Sequence, residues 1–339
     1  MKQILLTGGA GYIGSHTAVE LINEGHEIII VDNLINSSKK SLKRIEKITG
    51  KKIAFHCFDL KDENKLENLF NNSSIDSVIH FAGLKAVGES VAKPITYYDN
   101  NISSTISLIK SMEKHDVKKM VFSSSATVYG DPSNVPITEN SPTGIGLTNP
   151  YGRTKYFIEQ ILNDLTKTNR GWQITSLRYF NPIGAHTSGL IGENPNGKPN
   201  NLMPFITQVA TGTRKVLRVY GNDYPTKDGT GIRDYIHVVD LAKAHLAAIK
   251  KPAKKNSYRY LNIGTGKGTS VLNLIKAFEK TNHIKITYKY DSRREGDIAE
   301  CYADSTLAEN ELNWRAILSI EDACKDSWNW QSKNPNGYE

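Results

Sequence analysis

A glycine-rich turn at the start of the chain is the feature that most constrains its fold. The segment TGGAGYIG places Gly8, Gly11 and Gly14 in the spacing G-x-x-G-x-x-G, between an apolar run at 3–7 and a helical pattern at 12–24. Glycines permit a tight turn and a close backbone approach, and the helix N-terminus presents N–H groups to a pyrophosphate. A glycine triplet alone is weak evidence for a binding site, but a triplet between a strand and a helix predicts a dinucleotide-binding site.

Short apolar runs alternate with amphipathic stretches through the first half of the chain. The predicted strands are 3–7, 27–32, 53–58, 77–82, 119–125 and 174–180, and the predicted helices are 12–24, 38–48, 62–71, 96–115 and 151–168. Such alternation is typical of an α/β fold with helices on both faces of a parallel sheet. We therefore predict a doubly wound, Rossmann-type parallel sheet.

The pattern changes after the last of these strands. Residues 181–236 are rich in Gly, Asn and Pro, whereas residues 237–263 have the pattern of one more helix–strand unit. We expect a dinucleotide-binding domain formed by 1–180 plus about 237–263. A smaller mixed α/β domain, formed by 181–236 plus about 264–339, would bind the substrate, with the ligand cleft between the two domains.

The composition argues against several classes of protein. Of the 339 residues, 38% are hydrophobic and 23% are charged, and no apolar run is long enough to suggest a membrane span or a signal peptide. The cysteines Cys57, Cys301 and Cys324 are widely spaced, so we expect no metal site, no disulfide framework and a cytoplasmic protein. The net charge of +8 is spread out, and no nucleic-acid-binding signature accompanies it.

Two aspartates end predicted strands near the glycine turn. Asp32 ends the second strand, where a carboxylate accepts hydrogen bonds from the adenosine ribose in folds of this kind. No arginine follows it directly in DNLINS, so the segment favours NAD over NADP. Asp59 follows the third strand and either contacts the adenine or caps the next helix, because its spacing fits both roles.

The segment NPYGRTK places Tyr151 four residues before Lys155, so the two side chains share one face of a helix. A free tyrosine has a pKa of about 10, and a neighbouring ammonium and a nicotinamide cation would both favour the phenolate that a general base requires. Ser125 ends a strand at the carboxyl edge of the sheet, where it could bind the substrate hydroxyl that Tyr151 would deprotonate. The Y-x-x-x-K pattern is common by chance, and it indicates catalysis only together with the glycine turn, Asp32 and Ser125.

Longer segments carry a resemblance that covers nearly the whole chain. They include TGGAGYIGSHT, HFAGLKAVGES, FSSSATVYGD, YGRTK, LRYFNPIGAH, PNNLMPF, VYGNDYPTKDGTGIRDYIHVVDLA and RREGD. With them the chain resembles the nucleotide-sugar 4-epimerases of the extended short-chain dehydrogenase/reductase family. The resemblance implies an NAD-dependent isomerase that interconverts UDP-glucose and UDP-galactose through a transient 4-keto sugar, with Tyr151, Lys155 and Ser125 as catalytic residues.

The resemblance also implies the residues that bind each ligand. For NAD they are Gly8, Gly11, Tyr12, Ile13, Gly14, Asp32, Asn33, Leu34, Ile35, Asn36, Ser37, Asp59, Leu60, Phe81, Ala82, Gly83, Leu84, Lys85, Asn100, Ser125, Tyr151, Lys155 and Phe180. For the UDP-sugar they are Lys85, Ser125, Tyr151, Asn181, Asn201, Leu202, Arg218, Val219, Tyr220, Arg233, Arg294, Asp297 and Cys301. Arg233 and Arg294 match a diphosphate clamp, a role that suits the planar guanidinium group. A surface ion pair is the alternative for each arginine, above all in RREGD, which carries its own acids.

Other functions fit parts of the sequence. Dehydratases that act on nucleotide sugars resemble this family but carry an acidic pair after the active Ser or Thr, whereas Ala126 and Thr127 follow Ser125 here. A net dehydrogenase needs an exchangeable cofactor, which the sequence does not exclude. A non-catalytic NAD-binding regulator would usually have lost Tyr151 or Lys155, and this chain has both.

Position 301 departs from a narrow pattern, because some family members carry a bulky tyrosine where this chain has Cys301. The smaller side chain would leave room for an N-acetyl group, so we expect activity on UDP-GlcNAc and UDP-GalNAc as well. The alternative is that Cys301 only fills the core. The resemblance further implies a homodimer that pairs through helices near 96–115 and 151–168.

Overall fold

The computed structural model describes residues 2–197, 199–294 and 296–338. The first half of the chain supplies six strands: β1 (Gln3–Thr7), β2 (Glu27–Asp32), β3 (Ala54–Cys57), β4 (Ile75–His80), β5 (Lys119–Ser125) and β6 (Gln173–Tyr179). Seven helices lie between or after them: α1 (Tyr12–Asn23), α2 (Lys39–Thr49), α3 (Glu63–Asn71), α4 (Val87–Ala92), α5 (Pro94–Tyr98), α6 (Ser104–Lys114) and α7 (Pro150–Thr166).

The described residues of the second half form five more helices, one long strand, β11 (Ser257–Ile263), and several short strands. In chain order they are β7 (Asn181–Ile183), α8 (Leu202–Ala210), β8 (Leu217–Tyr220), β9 (Ile232–Arg233), β10 (Tyr235–His237), α9 (Val238–Lys250), β11 (Ser257–Ile263), β12 (Thr269–Ser270), α10 (Val271–Asn282), β13 (Tyr288–Asp291), β14 (Glu300–Cys301), α11 (Thr306–Leu312) and α12 (Ile320–Lys333). The short strands pair in three small sheets, β7 with β10, β8 with β13, and β9 with both β12 and β14.

The main sheet has seven strands in the order β11-β6-β5-β4-β1-β2-β3, and every neighbouring pair is parallel. The predicted doubly wound parallel fold is therefore confirmed. The winding direction reverses between β1 and β4, which lie side by side. In sheets of this topology a crevice opens at the carboxyl ends of the two strands at the reversal, and ligands bind there.

Side chains of the central strands alternate between two apolar layers, because successive residues of a strand point to opposite faces. Leu6 and Ile30 pack on one face with helices that include α1 and α9. Leu5 and Ile29 pack on the other face with α3, α6 and α7. Burial on both faces accounts for the near-continuous apolar strands that the sequence shows.

The predicted helix at 96–115 is interrupted in the structure. Pro94 begins α5, as a proline at the first helical position often does, and a π-helical turn at Asp99–Ser103 separates α5 from α6. Asn101 in this turn donates to the backbone oxygen of Leu84 at 3.0 Å and accepts from its N–H at 2.7 Å. Asn101, in the π-helical turn, therefore fixes the loop that follows β4.

The predicted domain division stays a prediction, although the packing bears on it. Ile183, Leu217 and Phe278 form an apolar cluster separate from the two layers of the main sheet. Leu312 and Trp314 instead join the layer on the α1 side of the main sheet, although we assigned them to the second domain. Within the described ranges, no helix combines the length and apolar character that crossing a membrane requires.

Candidate functional site

The glycine turn between β1 and α1 lies in the wall of the larger pocket, a cavity of about 540 Å³. Gly8 has a φ of +72°, and a Cβ atom there would lie 2.6 Å from the backbone nitrogen of Ala82. A Cβ on Gly14 would lie 2.6 Å from the backbone oxygen of Gly8. Gly11 starts α1 without a side-chain cap, so the first N–H groups of the helix are available to an anion. These features fit a dinucleotide pyrophosphate.

Asp32 ends β2 beside the glycine turn, is buried, and lines the larger pocket. Its Oδ1 accepts hydrogen bonds from the N–H of Leu34 at 2.9 Å and the hydroxyl of Ser37 at 2.8 Å. Its Oδ2 accepts only the N–H of Ala10, at 3.1 Å, among the partners that the described residues offer. Burial raises the pKa of Asp32, and these hydrogen bonds oppose the rise. Oδ2 therefore retains a lone pair for a ribose hydroxyl.

Asp59 lines the larger pocket and accepts a hydrogen bond from Asn33 at 3.0 Å. We left a helix-capping role open for it, but Asp62 caps α3 by accepting from the N–H of Lys65. The capping alternative for Asp59 is therefore wrong. Its contact with adenine stays a prediction.

Most of the predicted cofactor residues share one cavity. The larger pocket is lined by Gly8, Gly11, Tyr12, Ile13, Gly14, Asp32, Asn33, Ile35, Asn36, Ser37, Asp59, Leu60, Phe81, Ala82, Gly83, Leu84, Lys85, Asn100, Tyr151 and Lys155. The other three predicted residues, Leu34, Ser125 and Phe180, are not part of its lining. Leu34 packs against the apolar layer on the α1 side of the sheet, and Ser125 ends β5 beside Tyr151.

Tyr151 and Lys155 lie in the first turns of α7, which Asn149 caps by accepting the N–H of Gly152 at 2.8 Å. Lys155 is buried, and its Nζ atom donates to the backbone oxygen of Ser123 at 2.5 Å. The same Nζ atom lies 6.0 Å from the ring centroid of Tyr151. The helix therefore places the phenol and the cation side by side, as the spacing predicts.

The electrostatics of the pair differ from the prediction. Burial raises the pKa of Tyr151, and the group that lowers it is the hydroxyl of Ser125 through a hydrogen bond. Burial also lowers the pKa of Lys155 to about 8, opposed by the carboxylate of Glu159 one helical turn further on. We expected the ammonium to acidify the phenol, but in this structure desolvation dominates, because Lys155 is buried and Tyr151 is half-buried in the pocket wall.

A smaller pocket, a cavity of about 130 Å³, contains most of the predicted substrate residues. Its lining includes Asn181, Asn201, Leu202, Arg218, Val219, Tyr220, Arg233, Arg294 and Asp297. Asn200 lines both pockets, so the two cavities adjoin. The structure thus brings the two predicted residue sets into neighbouring sites.

Two arginines converge on one carboxylate in the smaller pocket. Arg294 donates to Asp297 at 2.8 Å, and an Nη2 atom of Arg233 lies 3.8 Å from the same carboxylate. Arg233 also donates to the backbone oxygen of Ile232 at 2.8 Å. The ion pair that we considered as an alternative is therefore present. Counting only these two arginines and Asp297, the ion pair leaves one net positive charge, which suits a diphosphate.

Phe180 and Cys301 belong to one apolar cluster with Ala126 and Tyr129. Cys301 lies on β14, paired with Arg233 of β9, and is not part of either pocket lining. Burial raises the pKa of its thiol to about 11, so the thiol stays protonated and is not a nucleophile. In the described part of the chain, no three His, Cys, Asp or Glu side chains gather to hold a metal ion.

Many lining residues were missed from the sequence, and three of them have polar side chains of particular interest. Glu193 and Tyr338 line the larger pocket, and Tyr224 lines the smaller one. The hydroxyl of Tyr338 lies 3.4 Å from the backbone oxygen of Gly192. The sequence offered one signal for Glu193: it is the acidic residue of GENPNGKPNN, the segment that ends at the predicted contact Asn201.

Comparisons with known proteins agree with this geometry. Residues 4–264 match the model of the NAD dependent epimerase/dehydratase family. A UDP-glucose 4-epimerase of Bacillus subtilis is 57% identical over 335 residues, which cover 99% of this chain and 98% of the relative.

Solved structures show the same similarity. The crystal structure of a UDP-glucose 4-epimerase from Bifidobacterium longum in complex with NAD+ and UDP has a TM-score of 0.96 and 57% identity, covering 99% of this chain and 100% of its own. A UDP-Glc/GlcNAc 4-epimerase from Campylobacter jejuni has a TM-score of 0.83 and 35% identity, with 98% and 100% coverage. The chain therefore belongs to the NAD dependent epimerase/dehydratase family, with NAD as its cofactor.

Proposed function

We propose that this chain is an epimerase that interconverts UDP-glucose and UDP-galactose by inverting C4 of the hexose. The observation that carries the proposal is the position of Tyr151, which lines the larger pocket together with Lys155 and lies close enough to Ser125 for that hydroxyl to lower its pKa. The adjoining pocket holds two arginines that suit a diphosphate. Relatives that are 52–57% identical over nearly the full chain carry the name UDP-glucose 4-epimerase, which supports this assignment.

The chain's own residues have distinct tasks in the proposed reaction. Tyr151 removes the proton of the sugar 4-hydroxyl and later returns it, while Ser125 binds the same hydroxyl and orients it. Lys155 places a positive charge 6.0 Å from the centroid of the phenol ring, where it would stabilise the phenolate formed during the reaction, although burial leaves the pKa of Tyr151 raised. NAD, when bound in the larger pocket, would supply the redox chemistry, a reversible hydride transfer at C4. Arg233 and Arg294 hold the diphosphate so that the hexose alone turns between the two half-reactions.

The test is to incubate the purified protein with UDP-galactose and no added NAD. We expect UDP-glucose to form, with no net NADH and no accumulating keto product. In Tyr151→Phe the rate should fall about 10²–10⁴-fold, the usual contribution of a general base. Tyr156→Phe is the matched control, since Tyr156 lies on the same helix but lines neither pocket.

Other results would contradict the proposal. Net NADH formation would identify a dehydrogenase, and a dehydrated keto sugar would identify a dehydratase. NAD binding without turnover would identify the non-catalytic regulator. If Tyr151→Phe converted UDP-galactose as fast as the parent, the proposed role of the phenol would be wrong.

A wider substrate range is a second candidate function. Cys301 lies opposite Arg233 on the neighbouring strand, and Arg233 lines the smaller pocket. The side chain at position 301 is therefore close to the substrate site. A cysteine leaves space there that a tyrosine would fill. The Campylobacter jejuni relative, named for both UDP-Glc and GlcNAc, shows that the fold accommodates the N-acetylated class. We therefore propose activity on UDP-GlcNAc and UDP-GalNAc too.

We also propose a homodimer with a second copy of this chain. Large apolar side chains are exposed within the two predicted ranges, Ile106 on α6 and Phe157 on α7, and just before the first range, Val87 and Val91 on α4 and Ile95 on α5. Burying such side chains between two copies would remove apolar surface from water. Sedimentation should show a dimer that Phe157→Glu dissociates. Ile317→Glu, at an apolar residue 67% exposed outside these helices, should leave the dimer intact, and a monomeric parent would contradict the proposal.

We propose the cytoplasm as the location of the protein. All three cysteines are free thiols, and Cys57 is exposed. Free thiols persist in a reducing compartment. Cell fractionation with an antibody to the protein would test this location.

A further inference from the structure

Glu193 lines the larger pocket and contacts residues of both pockets. Its Oε1 atom accepts a hydrogen bond from Nδ2 of Asn201 at 2.6 Å and another from Nζ of Lys85 at 3.3 Å. Lys85 lines the larger pocket, which is the cofactor pocket, and Asn201 lines the smaller pocket, which is the substrate pocket. One carboxylate oxygen therefore connects a residue of each site.

The second carboxylate oxygen of Glu193 has a different environment. Oε2 is buried and has no hydrogen-bond partner among residues 2–197, 199–294 and 296–338. The side chain of Glu193 is only 10% exposed, and its backbone oxygen accepts from the indole N–H of Trp330 at 3.2 Å. A buried acceptor without a partner is costly, so a group that donates a hydrogen bond to Oε2 would be favoured.

The chemistry of the ligands limits what that donor can be. Glu193 lines the cofactor pocket, where the phosphates of a dinucleotide offer no donor and would be repelled by a carboxylate. The ligands also offer the amino groups of adenine and nicotinamide and the N–H of uracil, but most of their donors are sugar hydroxyls, from a ribose of NAD or from the hexose in the adjoining pocket. A carboxylate that binds sugar hydroxyls is already the device by which Rossmann folds hold the adenosine ribose.

We propose that Glu193 is a positioning residue that joins the two sites. One oxygen holds Lys85 and Asn201 in place, and the other accepts a hydrogen bond from a sugar hydroxyl of the bound ligands. Glu193 belongs to the same site as the proposed epimerase activity. The hexose alternative for the bound hydroxyl rests on that proposed activity. Glu193 touches none of the reacting groups, so its loss weakens binding more than chemistry.

The test compares Glu193→Gln and Glu193→Asp with the parent holoenzyme. Glu193→Gln keeps the size of the side chain and removes the charge and one acceptor, whereas Glu193→Asp keeps the charge and shortens the reach. The control is Glu279→Gln, since the Glu279 side chain is 20% exposed and also faces a lysine, at 3.8 Å, away from both pockets. NAD retained per chain after gel filtration, and KM and kcat for UDP-galactose, are measured for each protein.

The outcomes separate the two sources of the hydroxyl. A ribose partner predicts that both Glu193 variants release NAD about tenfold faster or more, whereas a hexose partner predicts that KM rises about tenfold or more with kcat within about threefold. Unchanged NAD retention and unchanged KM in both variants would overturn the proposal, as would a loss of thermal stability alone. Absence of turnover in the parent would count against the proposed function, and the NAD measurement would still test Glu193.

Discussion

The Nζ atom of Lys155 lies 6.0 Å from the ring centroid of Tyr151, one helical turn away, while its hydrogen bond goes to the backbone oxygen of Ser123. The lysine is therefore fixed by β5 rather than by the phenol. This arrangement holds a buried positive charge next to the proposed base, and keeping an ammonium there has a cost in folding free energy.

Replacing Lys155 by methionine should stabilise the fold and inactivate the enzyme. Burial lowers the pKa of Lys155 to about 8 from an ordinary value of 10.5, which corresponds to about 3 kcal/mol of folding free energy. Below pH 8 lysine is protonated in both states, so the full cost of burial applies. Between about pH 8 and 10.5 the unfolded chain binds more protons, so the parent gains stability as pH rises.

Denaturant unfolding at a series of pH values checks this prediction. Lys155→Met should be more stable than the parent by up to about 3 kcal/mol at pH 7, and the advantage should shrink above pH 8. Its activity on UDP-galactose should fall about 100-fold or more, because the charge beside Tyr151 is lost. A stability difference that stayed constant from pH 7 to 10.5 would mean that the lysine titrates normally.

Gly14→Ala should destabilise the protein and weaken the retention of NAD. The new Cβ would lie 2.6 Å from the backbone oxygen of Gly8 and 2.7 Å from the Cα of Gly9, so backbone atoms must move. Overpacking of this kind costs about 1–3 kcal/mol. Gly88→Ala is the control, because no atom lies within 4 Å of its added Cβ. Thermal unfolding and NAD content measure both effects, and equal results for the two variants would contradict the close approach.

Arg294→Gln should weaken substrate binding without releasing NAD. Loss of one charge-assisted hydrogen bond costs about 1.5–3 kcal/mol, so KM for UDP-galactose should rise about 10–100-fold. Arg293→Gln is the matched control, since Arg293 is the preceding residue but pairs with Asp223 at 2.8 Å and lines neither pocket. Steady-state kinetics distinguish the two variants. Equal effects at both positions would mean that Arg294 acts only through the surface charge.

Cys301→Tyr should narrow the substrate range. The larger side chain would fill the space next to Arg233, so the rate on UDP-GalNAc should fall at least about tenfold while the rate on UDP-galactose changes little. Cys301→Ser keeps the volume and should retain both activities. Product analysis with plain and N-acetylated substrates checks the prediction. Unchanged rates on both substrate pairs in Cys301→Tyr would show that residue 301 does not control the substrate range.

The sequence was sufficient to predict the main sheet because its strands are buried on both faces. Residues 28–31 are apolar, between Glu27 and the terminal Asp32, and the observed β2 has the predicted bounds of 27–32. The glycine turn could be predicted equally well. Positions 8 and 14 have no room for a Cβ atom, so the sequence must carry glycine at that spacing. Both features depend on residues that are close together in the chain.

Features that depend on distant residues were not predictable. The π-helical turn at Asp99–Ser103 is supported by the contact of Asn101 with Leu84, and Glu193 faces Lys85 only after the chain has folded. The raised pKa of Tyr151 likewise follows from burial, which local spacing does not reveal. The predicted pairing of phenol and amine was therefore confirmed in position, while its electrostatics required the tertiary structure.

The cofactor pocket has walls from both ends of the sequence, because Gly8 and Tyr338 line the same cavity. During translation, the turn at Gly8 leaves the ribosome long before the segment that carries Tyr338. An incomplete chain can present the glycine turn to a dinucleotide but cannot yet surround it. Lasting capture of NAD is thus expected to follow synthesis of the segment after α12 that carries Tyr338, and proteolytic removal of residues near 338 should let the cofactor escape.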